Sequence, residues 1–416
     1  MSDNLYDVIV LGAGPAGLAA AASAREKGAS VLVIEREQKA GGILKQCIHD
    51  GFGLLHFGER LTGPEYALKC LEQAQNAGAE FLFSAFVCAA EKEGSDFSLE
   101  LQTQGGMQRV FCKALVLACG CRERTAKQVS IHGDRPAGVM TAGTAQYFVN
   151  VMGCLPTKSC VILGSGDIGL IMARRLTLEG AKVLGVYEAK SEPSGLARNI
   201  AQCLNDFSIP LHLSSTVTRV FGSERVQGVE VCRLDENMRP IEGSEQRIDC
   251  DALILSVGLI PENEIAESLG VEIDPATKGP FVDQNFMTSV PGVFCCGNAL
   301  AVHDLVDYVS EGAAKAGAAA ALYDATHNRT LTPLAYQKED FLCVVPQFTD
   351  ESSLGNMMLA LRSRHDVKNA SVELVFQNGA AKTNRFQRLS PAEMAVIHVD
   401  AKENGVVQSV HLEVRT

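Results

Sequence analysis

The strongest constraint in this chain is a glycine pattern that occurs twice, each time between an apolar run and a segment with helical character. The first copy reads DVIVLGAGPAGLAAAASAREKGASVLVIERE, with Gly12, Gly14 and Gly17 following the apolar residues Val8 to Leu11 and an acidic end at Glu35. The second reads SCVILGSGDIGLIMARRLTLEGAKVLGVYE, with Gly164, Gly166 and Gly169 and an acidic end at Glu188. Each glycine has its own reason. The first permits a tight turn, the second lets backbone approach a pyrophosphate, and the third allows close helix–strand packing. The diphosphate then meets free N–H groups at a helix N-terminus. One such pattern would match many glycine-rich turns. Two complete strand–turn–helix–strand units, each closing on a carboxylate for a ribose hydroxyl, predict a chain that holds two dinucleotides.

A length of 416 residues exceeds what one hydrophobic core serves, so two or three domains are expected. The net charge is −12 and no cluster of basic residues occurs, which argues against nucleic acid and anionic membrane as partners. The first strand begins within about ten residues of Met1, leaving no room for a secretory signal, and no apolar run reaches the ~20 residues needed to span a bilayer. A soluble, cytoplasmic protein without membrane insertion is expected. Its 14 cysteines then read as free thiols. No CxxC is present, and the closest spacings are Cys119-Gly120-Cys121 and Cys295-Cys296. Neither suits a metal or an iron–sulfur cluster, and strand alternation sends Cys295 and Cys296 to opposite faces.

Between and after the glycine units the pattern alternates. A helix over Pro64 to Gly78 and a strand over Glu80 to Phe83 lead into an antiparallel meander that returns as a buried strand, Ala114 to Ala118. The second half repeats the plan, with a meander from Val217 to Ile248 and a buried strand within Asp251 to Gly258. A third strand, turn and long helix, SVPGVFCCGNALAVHDLVDYVSEGAAKAGAAAALYDA, comes too late for the second domain and is read as completing the first. After Thr330 short strand-like runs dominate, with one helix expected within Ser353 to Arg362. The predicted fold is α/β: two Rossmann-like doubly wound domains plus a small C-terminal β-rich domain. The boundaries are residues 1–125 with 280–330, then 135–279, then 331–416, the last read as a dimerisation or docking module.

This arrangement resembles the two-dinucleotide flavoprotein oxidoreductases, which include glutathione and thioredoxin reductases and NADH oxidases, over Tyr6 to Ala325. The resemblance implies FAD at the first fingerprint and a nicotinamide nucleotide at the second. It also implies cofactor contacts from Gly41 and Gly42, from Gly120 and Gly258 at the meander ends, and from Gly297 and Asn298, where the family usually ends Gly-Asp. Asp304 belongs to a helix start that, in that family, points at the flavin's pyrimidine end and favours negative charge there. The strings GGILKQCIHDGFGL, LTGPEYA, RPAGVMTAGTAQ and HDLVDYVSEG resemble NAD-linked partners of glycerol-3-phosphate dehydrogenase subunits. More distantly, the chain is similar to α subunits of bacterial amino-acid dehydrogenases. Those commonly carry a [2Fe–2S] module that this sequence lacks, so electrons are expected to pass through another protein or a diffusing acceptor.

Charge logic adds that Glu188 repels a 2′-phosphate and favours NAD(H). Disulfide reduction needs two thiols, and only Cys47 follows the glycine pair, with His49 two residues on to lower its pKa. Ile171 stands where the family often has Glu. Cys47, His49 and His303 are the catalytic candidates. The function expected is hydride transfer between NAD(H) and flavin, in a multi-component dehydrogenase. Its expected partners are a second dehydrogenase or electron-transfer subunit, with a small-molecule substrate and a possible homo-oligomer. The alternatives are a stand-alone NADH oxidase or single-cysteine peroxide or disulfide reductase, and a non-catalytic nucleotide-bound scaffold. Removal of the residues after Thr330 is expected to spare hydride transfer while impairing partner coupling, provided the truncated protein folds.

Overall fold

In a computed structural model, which describes residues 5–353 and 355–414, the chain divides into two compact units, Met1–Cys121 with Pro261–Thr416, and Arg122–Ile260. The first unit is built on the strand Leu5–Leu11, whose Val8, Ile9 and Val10 are fully buried. It runs parallel to Val31–Ile34 on one side and to Gly106–Leu117 on the other, with Val8 opposite Val31 and Ala114. Glu80–Leu82 and Val293–Cys295 complete the parallel set at its two ends. Such strands are covered on both faces and therefore read as continuous apolar runs. The 12-residue strand Gly106–Leu117 serves two purposes, because its first part pairs antiparallel with Asp96–Thr103, which pairs with Phe86–Glu93.

The helix Pro15–Glu26 packs on Val306–Ala321. Both are rich in alanine because their backbones nearly touch: a Cβ on Gly317 would lie 2.0 Å from the Ala20 carbonyl oxygen. The expected helix near Pro64 is Gly63–Asn76, closed at its start by a capping box between Thr62 and Glu65.

The second unit repeats the doubly wound plan. Its parallel sheet has the order Val139–Thr141, Ala252–Leu255, Ser159–Leu163, Lys182–Tyr187, Leu211–His212. A meander of Ser215–Phe221, Gly228–Arg233 and Gln246–Ile248 forms a separate sheet, which His132–Gly133 extends. The division differs from the expected boundaries at Pro261. Residues 261–279 join the first unit because the Asn263 amide donates to the carbonyls of Lys278 and Ala299, and Ala266 and Val271 enter the first unit's core.

Residues beyond 330 form three small sheets, and the two larger ones enclose a shared core of Phe341, Met357, Leu359, Leu361, Val372, Leu374, Val407 and Val410. The helix expected within Ser353 to Arg362 is instead the strand Asn356–Ser363, paired on both sides by Phe341–Val345 and Met394–Asp400. Its Met, Leu and Ala residues favour helices in isolation. Here Leu359 and Leu361 face the sandwich core while Ala360 joins the core of the dinucleotide unit. A strand buried on both faces carries an unbroken apolar run, which periodicity cannot tell from a buried helix.

The module is also joined to the rest of the first unit by buried polar groups. The Gln284 amide and the Asp350 backbone exchange two hydrogen bonds, at 2.9 and 2.6 Å. Gln347 accepts from the Val282 N–H and donates to Asp274. Arg329, where the segment begins, is ion-paired at 3.0 Å with the fully buried Asp283.

Candidate functional site: two glycine turns with acidic ends

The two fingerprints fold into the same geometry, each inside its own unit. At each first glycine the backbone is left-handed, φ +101° at Gly12 and +100° at Gly164, so the chain can turn straight from strand into helix. At each third glycine a Cβ would strike the carbonyl oxygen of the first, 1.8 Å away from Gly17 and 2.6 Å away from Gly169. The second glycines differ from both. A Cβ on Gly14 would approach nothing nearer than the Gly42 Cα at 3.9 Å, and one on Gly166 nothing nearer than the Ser256 hydroxyl at 3.8 Å. Backbone around them is therefore open, at the N-termini of the helices Pro15–Glu26 and Asp167–Leu178. An open cradle at a helix N-terminus fits a diphosphate.

The acidic ends match as closely. Glu35 accepts from the Ala13 N–H and, through its other oxygen, from the Glu37 N–H, both at 2.8 Å. Glu188 accepts from the Ser165 N–H at 3.0 Å and the Lys190 N–H at 3.1 Å. Both carboxylates are thus buried at the carboxyl end of a second strand, pinned between the glycine turn and the residue two positions on. Glu35 keeps lone-pair capacity for a ribose hydroxyl on both oxygens, and Glu188 keeps it on Oε1.

One difference separates the sites. The turn residues Ala13 and Pro15 carry no polar side chain, whereas their counterparts Ser165 and Asp167 do. Ser165 donates from its hydroxyl to Glu188 and accepts from the Ser194 N–H; Asp167 accepts from the Leu196 N–H and the Asn199 amide. These residues fasten the segment Ser194–Asn199 onto the second turn. The sequence signal for them is the departure from small apolar residues within GSGDIG.

The other expected cofactor residues divide. The Gly41 N–H donates to the Ala13 carbonyl at 2.8 Å, which lays Gly41 and Gly42 directly on the first turn. Gly297 reaches the same place, since its Cβ would sit 2.8 Å from that of Ala16. Gly120 lies past the end of Gly106–Leu117, with open space where its side chain would point. In the second unit Gly258 accepts from the Arg124 N–H at the end of Ala252–Leu255.

Asn298 and Asp304 are engaged within the protein. Asn298 accepts from the His303 N–H at 3.0 Å, which closes the turn after Gly297. Asp304 precedes the helix, which starts at Val306, and accepts from Arg362 and the Met394 N–H. Of the acidic residues expected at this helix start, Asp307 has the larger local role. Its buried carboxylate takes the N–H groups of Gly53, Leu55 and His56 and so shapes the loop after the glycine pair.

The catalytic candidates Cys47, His49 and His303 have the following surroundings. Cys47 packs against the start of Gly63–Asn76, with Gly63 donating to its carbonyl at 2.9 Å. Burial pushes its thiol up to about 11, opposite to the lowering expected from His49. A group held this far above neutral pH is a thiol and not a thiolate, hence a poor nucleophile. His49 places its ring 4.9 Å from that of Phe52. His303 has Nδ1 2.7 Å from the Ala301 carbonyl, and burial holds its pKa below the usual histidine value. Burial likewise raises Cys119 to about 12, and both Cys295 and Cys296 are fully buried. Among the described residues no helix is long and apolar enough to cross a membrane.

Known proteins agree with this picture. Residues 6–330 match the pyridine nucleotide-disulphide oxidoreductase family. The chain is 24% identical to an opine oxidase subunit from Agrobacterium tumefaciens over 72% of its own length and 62% of that protein. It is 27% identical to the HcnB subunit of hydrogen cyanide synthase from Pseudomonas protegens, over 64% of the chain and 59% of that protein. Thioredoxin reductase of Listeria monocytogenes is 25% identical, over 72% of the chain and 87% of that protein. The chain thus spans less than two thirds of the first two. Its fold is that of thioredoxin reductase from T. acidophilum, with a TM-score of 0.62 at 22% identity over 77% of the chain and 99% of that structure. With two matched dinucleotide cradles and a family match over three quarters of its length, the chain belongs to the pyridine nucleotide-disulphide oxidoreductase family and is an FAD- and NAD(P)-dependent oxidoreductase.

Proposed function

We propose that the first site holds FAD, the second holds NAD(H), and the chain moves a hydride between them as one component of a multi-subunit dehydrogenase. The observation that carries this reading is the pair of matching acidic ends, Glu35 and Glu188, each beside an open glycine cradle. When bound, FAD and the nicotinamide supply the two-electron chemistry. The chain supplies the rest. Backbone N–H groups at Pro15–Glu26 and Asp167–Leu178 receive the phosphates, except at Pro15 itself, which has none. Glu35 and Glu188 accept from ribose hydroxyls.

A thiol-based reductase fits less well, because no CxxC occurs and Cys47 alone follows the glycine pair, packed against Gly63 where burial raises its thiol. Relatives named as subunits of an opine oxidase and a hydrogen cyanide synthase support a partner protein; the glycerol-3-phosphate or amino-acid dehydrogenase type is our reading of the sequence strings alone.

Glu188 should also select the nucleotide, because its buried carboxylate faces the 2′ position and repels a phosphate there. Flavin reduction should be at least ~10-fold faster with NADH than with NADPH in stopped flow, and Glu188→Arg should narrow or invert the ratio. Equal wild-type rates would remove the basis for NAD.

A further inference from the structure

The segment between Gly297 and the helix Val306–Ala321 sits at the carboxyl end of the strand Val293–Cys295, beside the first glycine turn. Ligands of open parallel sheets bind at that edge. The segment is held at both ends. Asn298 fixes one end by accepting from the His303 N–H. The other is fixed from the module beyond residue 330, which lies outside the family match. Arg362 donates to the Val302 carbonyl at 3.1 Å and to Asp304 at 3.2 Å, while its other nitrogen donates to the Pro391 carbonyl at 2.8 Å. The Met394 N–H adds a bond to Asp304 at 2.9 Å.

The side chains of Arg362 and Asp304 are each 18% exposed, so water screens the pair less than it screens a fully exposed ion pair. Their charges also reach the neighbouring His303, Asp304 raising its pKa and Arg362 lowering it against the larger effect of burial. Beside His303 a small cavity is walled by Leu300 and Tyr308 from the dinucleotide body and by Val345, Met358 and Ala360 from the module. The module therefore packs against this segment as well as charging it.

We propose that Arg362 and Asp304 are positioning residues through which the C-terminal module shapes residues 298–304 and sets the electrostatic environment of the flavin. The inference rests on the reading of the first site as the FAD site. Its sign follows from charge. Removing Arg362 leaves Asp304 uncompensated, which disfavours electrons on the flavin; removing the Asp304 charge does the reverse.

The test is a spectroelectrochemical titration of FAD-loaded wild type, Arg362→Met, Asp304→Asn and the double variant. The midpoint potential should fall in Arg362→Met, rise in Asp304→Asn and return toward wild type in the double variant. Arg362→Lys, which keeps the charge, should stay near wild type. Loss of a purely structural clasp would instead move both single variants the same way, and that outcome, or no movement in either, overturns the assignment. If Arg362→Met fails to fold, Asp304→Asn decides alone: a rise supports the assignment, and a fall or no change sinks it. Wild type that holds no flavin would overturn the reading of the first site and this inference with it. Flavin-loaded variants with unmoved potentials would overturn this inference only.

Discussion

Gly14→Val should yield a folded protein without FAD, and Gly166→Val a yellow protein that NADH reduces at least ~100-fold more slowly than wild type. The distinction from neighbouring glycines is geometric. A Cβ at either position comes no nearer than about 3.8 Å to the surrounding protein, so the turn itself can accept a side chain. It projects instead into the cradle where a phosphate would lie. Gly17 is the control, because a Cβ there falls 1.8 Å from the Gly12 carbonyl oxygen and the turn itself must break. Flavin content by absorbance, circular dichroism and stopped-flow reduction separate these cases. A Gly14→Val protein that retains stoichiometric FAD would refute the assignment of the first site.

Truncation after Thr330 should be far more damaging than an appended docking module would allow. Val345, Ala360 and Met394 belong to the same buried core as the helix Val306–Ala321. Val282, Gln284 and Asp274 also lose the buried partners that Gln347 and Asp350 provide. Native proteins have only about 5–15 kcal/mol of net stability, and burial is worth about 25 cal/mol per Å² of apolar surface. Uncovering one face of the core therefore removes a large fraction of the margin. The fragment should be insoluble or, if recovered, flavin-free and melting at least about 10 °C lower, which corresponds to roughly 7–9 kcal/mol for a chain of this size. A soluble yellow fragment that melts like the full chain would show the module to be detachable. The expected survival of hydride transfer is conditional on a fragment that folds, and it is this condition that the shared core opposes.

Much of the fold could be read from residues whose role is local. Gly12, Gly17, Gly164 and Gly169 are required by turns and close contacts that involve only a few residues on either side, so their spacing carries the information. The Val8–Leu11 and Ala252–Leu255 strands likewise announce themselves as short apolar runs. What escaped the sequence depends on partners far along the chain. Arg362 meets Asp304 across 58 residues, and Gln284 meets the Asp350 backbone across 66. No periodicity marks such pairs, so the joining of the module to the first unit could not be seen. The helix expected within Ser353 to Arg362 failed for the same reason, because only the second core explains why Met358 and Ala360 are buried as well as Met357 and Leu359.

At the site, the carboxylates Glu35 and Glu188 were legible from their distance to the glycines. At Cys47 the sequence shows the nearby His49 but not the packing against Gly63, where burial raises the thiol. Ser165 and Asp167 were present in the fingerprint as departures from Ala13 and Pro15. Their role depended on where Ser194 to Asn199 returned.

The measurement that bears most directly on two dinucleotides and a hydride passed between them is an anaerobic titration of the purified, flavin-loaded chain with NADH, followed by the flavin's visible absorbance. Stoichiometric bleaching is expected in wild type, and in Gly166→Val the same NADH should leave the flavin largely coloured over the time in which wild type is fully reduced. A wild-type flavin that keeps its colour under excess NADH would contradict that hydride transfer.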